Sequence, residues 1–355
     1  MLYARLPSAS VMTLCFAASL LGVSLVTQNS TADPNHQSGT FKIALWGDQF
    51  YSGDNELRAR RTQQTIDSMN VQDLAFTLYT GDTKAGHSEC TDQAIGADIQ
   101  AVFNALIAPT IYSLGDNEWT DCHRTSNGSY DPLERLSYLR TFFFSTEKSQ
   151  GQSPLNLTRQ TKGGGTYSEN SRFVKNGVMF VSLSIPGSNN NLVATEKQCS
   201  KYSKRTTSDC KAASKEYQGR NAANIQWLTS AFDDARANSY QGLVVVIQAD
   251  IFFPFELSDG GFEDDFIPSL TKDNGYAEFY KTLERETKSF KGEVLLVHGD
   301  SHYFKIDKPM YDDDGRLQHN FTRVQVFGDK DNSWVKLTVS PSGDSLFVLT
   351  PIVLR

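Results

Sequence analysis

Positive charge, cysteine and long apolar runs are all scarce in this chain of 355 residues. Lys and Arg number 34 against 41 Asp and Glu, for a formal net charge of −7 and a pI near 5.4. That balance argues against a general nucleic-acid or membrane-surface binder, which needs a basic face to release counterions, and leaves only a local basic patch open. The apolar run VMTLCFAASLLGVSLV, from Val11 to Val26, falls short of the roughly 18 residues of a spanning helix. Arg5 precedes it, polar TQNSTADPNHQ follows it, and Ser30 and Ala32 are small, so residues 1–32 read as a signal peptide, with an uncleaved anchor as the alternative. No repeat, low-complexity tract or linker forces a domain cut. Residues 41–355 are expected to form one domain after a flexible segment at 33–40.

Removing the segment that holds Cys15 leaves Cys90, Cys122, Cys199 and Cys210. An even number in an oxidising compartment predicts two disulfides, and four cysteines allow three pairings. Pairing Cys199 with Cys210 closes a short loop and leaves Cys90 for Cys122. The sequons at Asn127, Asn156 and Asn320 fit the same secreted, periplasmic or extracellular route.

From Phe41 onward, β-rich runs alternate with helical stretches: FKIALW, ELRARRTQQTIDSMN, LAFTLY, DQAIGADIQAVFNALI, TIYSL. This β-α-β-α-β order predicts a mostly parallel sheet whose strand ends share one ligand-binding rim. A helix over Pro132 to Phe144, a hairpin turning at Asn176-Gly177, and a polar loop from Gly187 to about Ser214 are expected next. Then come a helix near Ala222 to Ala237, the strand LVVVIQ, an aromatic-acidic loop FFPFELSDGGFEDDF, another helix and the strand EVLLVHGD. The tail, with VQVFG, SWVKLTVS and SLFVLTPIV, reads as short antiparallel strands.

Four of the predicted strands end alike. WGD, TGD and LGD place Asp48, Asp82 and Asp116 at equal intervals after the first three, and HGDSH delivers Asp300 and His302 after a late one. LVVVIQAD adds Gln248 at another strand end. One Gly-Asp after a strand is an ordinary turn, but four of them, one followed by His at +2, exceed what turn chemistry requires.

This order resembles the calcineurin-like metallophosphoesterase superfamily, whose usual pattern runs DxH, GDxx, GNH[DE], H, GHxH. The likeness covers Phe41 to about Lys308, and GDNEWTDCHR resembles a divergent branch. Purple acid phosphatases would carry a tyrosine where this chain has Ala85. The resemblance implies a four-layer α/β/β/α sandwich with two mixed β-sheets and a centre for one or two divalent metal ions, Mn, Mg, Fe or Ca, at the strand ends. Carried over, Asp48 and His302 hold one metal, Asp82 bridges, and Asp116, Gln248 and Asp300 hold the second. Phe50 stands in place of the DxH histidine and Asn117 in place of the histidine beside the leaving group. Three altered positions can still coordinate, and a carboxylate-rich set favours hard ions.

On this reading, the expected function is secreted, metal-dependent phosphoester hydrolysis by metal-bound hydroxide, on a monoester or diester. Glu118 would orient the loop or a ligand, and a cation would offset the crowding of Asp116, Glu118 and Asp121. His123 is the first candidate to protonate the leaving group and His87 the second, with a Cys90–Cys122 bridge tying their loops together. Lys84 and Arg124 are candidate phosphate contacts, and His298 is expected to be buried and structural. CSKYSKRTTSDC with neighbouring lysines reads as a basic flap or a solvated loop, and Phe252, Phe253 and Phe255 as a pocket wall or core. The expected partner is a phosphorylated small molecule, with no nucleic acid and no stable membrane insertion once the signal is cleaved; nothing implies an oligomeric state. The alternative is a non-catalytic secreted metal- or ligand-binding protein on the same scaffold.

Overall fold

A computed structural model describes residues 39–200, 202–252, 273–312 and 314–355. The expected signal peptide lies outside the described residues, as do Phe253 and Phe255. Among the described residues no helix is long and apolar enough to cross a membrane.

Twelve strands form two mixed sheets among the described residues. The first sheet is built on β1 (Phe41–Trp46), β2 (Phe76–Tyr79) and β3 (Thr110–Tyr112), all parallel. Its other edge is antiparallel, where β11 (Trp334–Val339) pairs with β1 and β12 (Phe347–Ile352) with β11. The second sheet has a parallel centre of β6 (Val178–Ser182), β7 (Gly242–Val246), β8 (Glu293–His298) and β10 (Phe321–Gln325). Antiparallel strands flank it: β4 (Thr158–Arg159) and β5 (Ser171–Lys175) on one side, β9 (Lys305–Asp307) on the other. The fold class is α/β with two mixed sheets.

Strand alternation explains the layers. Ile43 and Leu45 point into an apolar slab shared with Val178, Val244, Leu295 and Val324, which joins the two sheets. Ala44 and Trp46, on the opposite face, pack with α1 (Asn55–Asn70), α2 (Asp98–Ala105) and α3 (Pro132–Phe143) through Ile66, Phe103 and Leu139. The second sheet's outer residues, Val181, Val245 and Leu296, meet Phe232 of α6 (Thr207–Ala237) and Phe279 of α7 (Ala277–Ser289). The short elements α4 (Gly187–Asn190) and α5 (Glu196–Ser200) lie between β6 and α6. Helix, sheet, sheet and helix are therefore the four layers.

Two expectations are corrected. The helix expected near Ala222 begins at Thr207, behind a capping box of Thr206 and Asp209, so the polar loop ends well before Ser214. The stretch ahead of Ala222 escaped detection because it is largely polar, and Arg220 and Asn221, just before the expected start, are buried polar residues that break the apolar period. In the tail, each strand has an antiparallel neighbour as expected, but β10 also runs parallel to β8 in the second sheet while β11 and β12 join the first, partners that local pattern cannot specify. The hairpin does turn at Asn176-Gly177, both with positive φ (49° and 73°). Disulfides join Cys90 to Cys122 and Cys199 to Cys210. Phe252 is buried in the core under the Arg323 guanidinium, 4.6 Å from its ring centre.

Candidate functional site

Three of the strand-end residues come together closely. Asp48, Asp82 and His302 each offer a ligand atom within 4.8 Å of the others. Their loops approach so tightly that glycine is required between them: a Cβ on Gly299 would lie 1.8 Å from Asp48 Oδ2, and one on Gly115 2.1 Å from Asp82 Oδ1. Asp48, Asp82, Asp300 and His302 all have left-handed backbones, with φ of 52°, 58°, 79° and 63°. Such strain in non-glycine residues persists only where surrounding contacts enforce it, and it gathers at working sites.

The contacts are visible. The Asp300 N–H donates to Asp48 Oδ1 at 2.8 Å, and His302 Nε2 lies 3.7 Å from the same oxygen. Asp82 accepts from the Asn117 side-chain amide at 2.8 Å, from the Asn117 N–H at 3.2 Å and from the Tyr51 hydroxyl at 3.1 Å. Asn117 thus takes up the carboxylate instead of presenting an acid. Glu118 is fully buried and accepts from the N–H groups of Asp82 (3.1 Å), Thr83 (3.4 Å) and Gly115 (2.9 Å) and from the Tyr112 hydroxyl (2.8 Å). It bolts the Asp82 loop to the Asp116 loop and has no free oxygen for an ion.

The other three sequence candidates make a different cluster. Gln248 Oε1 accepts from the Gly187 N–H, which fixes the amide so that its NH₂ donates to Asp116 Oδ1 at 3.2 Å and Asp300 Oδ1 at 3.3 Å. The Ser188 hydroxyl lies 2.8 Å from Asp116 Oδ2 and 2.7 Å from Asp121 Oδ1, and Arg124 pairs with Asp121 at 2.6 Å. Here amide, hydroxyl and guanidinium already provide what a cation would.

Burial dominates the electrostatics. It pushes Asp48, Asp82 and Asp300 well above the usual carboxylate range, and the negative charge of Asp116 adds to this at each. Burial, then Asp116, raises Asp121 to about 8, and burial lowers His302. A divalent cation reverses this logic by favouring the charged carboxylates and the neutral imidazole. The donor set Asp48, Asp82 and His302 fits one such ion. Asp116, Gln248 and Asp300 fit a second one poorly, because the amide turns its donors toward the carboxylates.

These groups open into a cleft of about 410 Å³ whose lining includes Asp82, Asp116, Asn117, Asp300, His302 and Asp329. His87 and Arg124 also line it. His123 does not: it lines a neighbouring cavity, its Nδ1 is 2.6 Å from the Thr120 carbonyl, and burial followed by the Arg205 charge lowers its pKa to about 4. A neutral imidazole is too weak an acid to protonate a leaving group efficiently. Lys84 lines not the cleft but an adjoining groove between α1 and α2, which shares Tyr51, Ala85 and His87 with it; burial lowers the basicity of Lys84 while Glu118 and Asp82 raise it. Phe50 lines the same groove and stacks edge-on with Trp46 at 6.1 Å. Fully buried His298 bonds the Gly299 carbonyl.

Three residues of the site escaped the sequence analysis. Tyr51, next to Phe50, bonds Asp82 and places its ring 5.3 Å from that of His302. Asp329 follows Gly328 after β10, a fifth Gly-Asp of the kind already counted four times, and its N–H donates to the Asp48 carbonyl at 2.6 Å. Ser188 carried no motif.

The chain matches no family model and no curated protein. Among solved structures it is similar to GAP50, the anchor in the inner membrane complex of Plasmodium, at 11% identity over 89% of each chain with a TM-score of 0.44. It is also similar to the 5'-nucleotidase from Candida albicans SC5314, at 11% identity and a TM-score of 0.39, over 88% of this chain and 51% of that one.

Proposed function

We propose that this protein is a divalent-cation-dependent hydrolase of phosphoesters, working in an oxidising, extracytoplasmic compartment. The observation that carries the reading is the convergence of Asp48, Asp82 and His302, from three separate strand ends, within 4.8 Å. Two carboxylates and an imidazole suit Mn²⁺ or Fe²⁺ better than Ca²⁺, which prefers all-oxygen shells. When bound, the cation would lower the pKa of a water and offset the negative charge of the ester. Tyr51 and Asn117 hold Asp82 in place, and Glu118 keeps the two loops in register. Arg124, at the cleft wall, draws the anionic ester in. His87 is exposed and lines the same cleft, which supports it as the residue that gives a proton to the leaving alcohol. The two disulfides support the extracytoplasmic address.

The test is metal analysis of the purified protein together with hydrolysis of p-nitrophenyl phosphate and its bis-ester under added Mn²⁺ or Mg²⁺, with Asp82→Ala as background. Cation-dependent turnover above that background is the expected result. One observation favours a second reading: the Gln248 amide already satisfies Asp116 and Asp300, so a two-ion mechanism lacks its second ion. A protein that binds Mn²⁺ yet hydrolyses neither ester faster than Asp82→Ala is the non-catalytic binding protein.

A further inference from the structure

Across Asp121 and Arg124 from the acid cleft lies a second cavity, of about 530 Å³, that the proposed hydrolysis does not use. Its walls come from the turn at Thr120–His123, from the segment beginning at Ser188, and from the loop closed by the Cys199–Cys210 disulfide. Polar His123, Arg124 and Arg205 meet apolar Leu192, Val193 and Tyr202 there. Asp121 lines it as well, so the cavity mixes a few apolar side chains with polar groups of both signs.

Three features mark this cavity as built. Ser188, Asn189, Asn190 and Asn191 are four consecutive left-handed residues, with φ of 49°, 56°, 55° and 61°. That conformation costs about 1–2 kcal/mol per residue. Bracing holds it: fully buried Arg220 donates to the Asn190 side chain and carbonyl, Gly275 N–H donates to Asn189 Oδ1 at 2.7 Å, and Asn190 N–H donates to the Tyr276 hydroxyl at 3.2 Å. The outcome is a fixed partition, with the Ser188 hydroxyl between Asp116 and Asp121 and accepting from Arg124 at 3.2 Å.

The second feature is Arg205. Among the described residues it forms no ion pair, and its guanidinium contacts the Cys199 Sγ at 3.8 Å. By contrast Arg140, Arg220 and Arg323 each bond a carboxylate. A half-buried guanidinium with donors to spare, lining a cavity, is a ready partner for an anion. The third feature is the anchoring of its loop, by the disulfide, by the Thr125 N–H donating to the Tyr202 carbonyl at 2.8 Å, and by a β-bridge between Arg124 and Ser203.

We propose that this cavity is a second anion subsite, which takes a phosphate or carboxylate on the same small molecule whose phosphoester enters the acid cleft, with Arg205 as its anchor. The inference rests on the phosphoester reading of the cleft and deepens it: the substrate class is a small phosphoester bearing a second anionic group. Arg124 lines both cavities together with its ion-pair partner Asp121, 2.6 Å away, so the second anion relies on Arg205.

The test uses chemical rulers. Calorimetry with Mn²⁺ present compares alkyl monophosphates, α,ω-alkanediol bisphosphates of rising chain length, and ω-carboxyalkyl phosphates, on the whole protein and on Arg205→Gln and Arg205→Lys. At one chain length a doubly anionic compound should bind about tenfold or more tighter than the monophosphate, as a charge-assisted bond would give. Arg205→Gln should lose that gain while monophosphate binding holds, and Arg205→Lys should keep part of it. The bisphosphate and carboxylate arms tell which anion is preferred. Equal affinity for singly and doubly anionic compounds at every length overturns the subsite, as does an equal loss of both in a folded Arg205→Gln. Turnover, followed on the same samples, reports on the hydrolase reading separately: tight doubly anionic binding without hydrolysis keeps the subsite and discards the enzyme.

Discussion

The rim of the sandwich has two halves built from the same kind of residue and resolved in opposite ways. In one, Asp48, Asp82 and His302 crowd within 4.8 Å, and the nearest donors to Asp82 are the neutral Tyr51 and Asn117. In the other, the Gln248 amide bridges Asp116 and Asp300, Ser188 bridges Asp116 and Asp121, and Arg124 supplies a full positive charge. Burial raises Asp48 and Asp82 in one half and Asp121 and Asp300 in the other. The difference teaches that a cluster of strand-end acids is not by itself a two-metal centre. One half has room for an ion from outside, as proposed above, whereas the other carries its own compensation.

The comparison breaks most visibly at Asp82 and Glu118. Asp82→Ala should weaken Mn²⁺ binding more than about 100-fold, beyond the 10–100-fold typical of residues that only support a ligand; calorimetry showing a smaller loss would move the ion away from this half. Glu118→Gln leaves one acceptor oxygen for four donors and introduces new N–H groups in a buried site. A loss of about 3 kcal/mol in urea unfolding is expected.

Gln248→His sharpens the contrast directly. An imidazole can present a lone pair where the amide presents hydrogens, so bound Mn²⁺ should rise from one toward two per chain by metal analysis. An unchanged stoichiometry would show that the amide is not what excludes a second ion.

A pH experiment probes the floor beneath the Asp300 half. His298 is fully buried and burial lowers its pKa to about 4. The unfolded chain, with an imidazole near 6.5, therefore binds more protons than the native state as pH falls from 6.5 toward 4, and stability falls with it. Between pH 8 and pH 5 the loss from this group is about 2 kcal/mol, and His298→Asn should lack that share of the slope in urea titrations at the two pH values. The smallest expected effect is Tyr51→Phe, which removes one of three donors to Asp82; cation affinity should fall by about tenfold or less.

Much of this rim was legible because Gly-Asp after an apolar run is local chemistry. The near-continuous apolar run of FKIALW marks a strand buried on both faces, and the acid after each glycine marks a strand's end. Asp329 obeyed the same rule and could have been counted. Tyr51 and Ser188 could not, since nothing local distinguishes a tyrosine that reaches Asp82 or a serine held by a left-handed turn. His123 was misjudged for a related reason: nearness in sequence to Asn117 placed it on the right loop, but the turn at Thr120–His123 directs it into the neighbouring cavity.

What the chain alone determined was most of the core strands and helices, the acids at their ends and the pairing of its cysteines, because each follows from periodicity, turn chemistry or loop length. Only the tertiary structure decided which acids gather round His302 and which already have an amide, hydroxyl or guanidinium partner. That outcome depends on where the Gln248 amide, the Ser188 hydroxyl and the Arg124 guanidinium arrive from distant segments, and compensation of buried charge acts over a few ångströms of space without regard to distance along the chain.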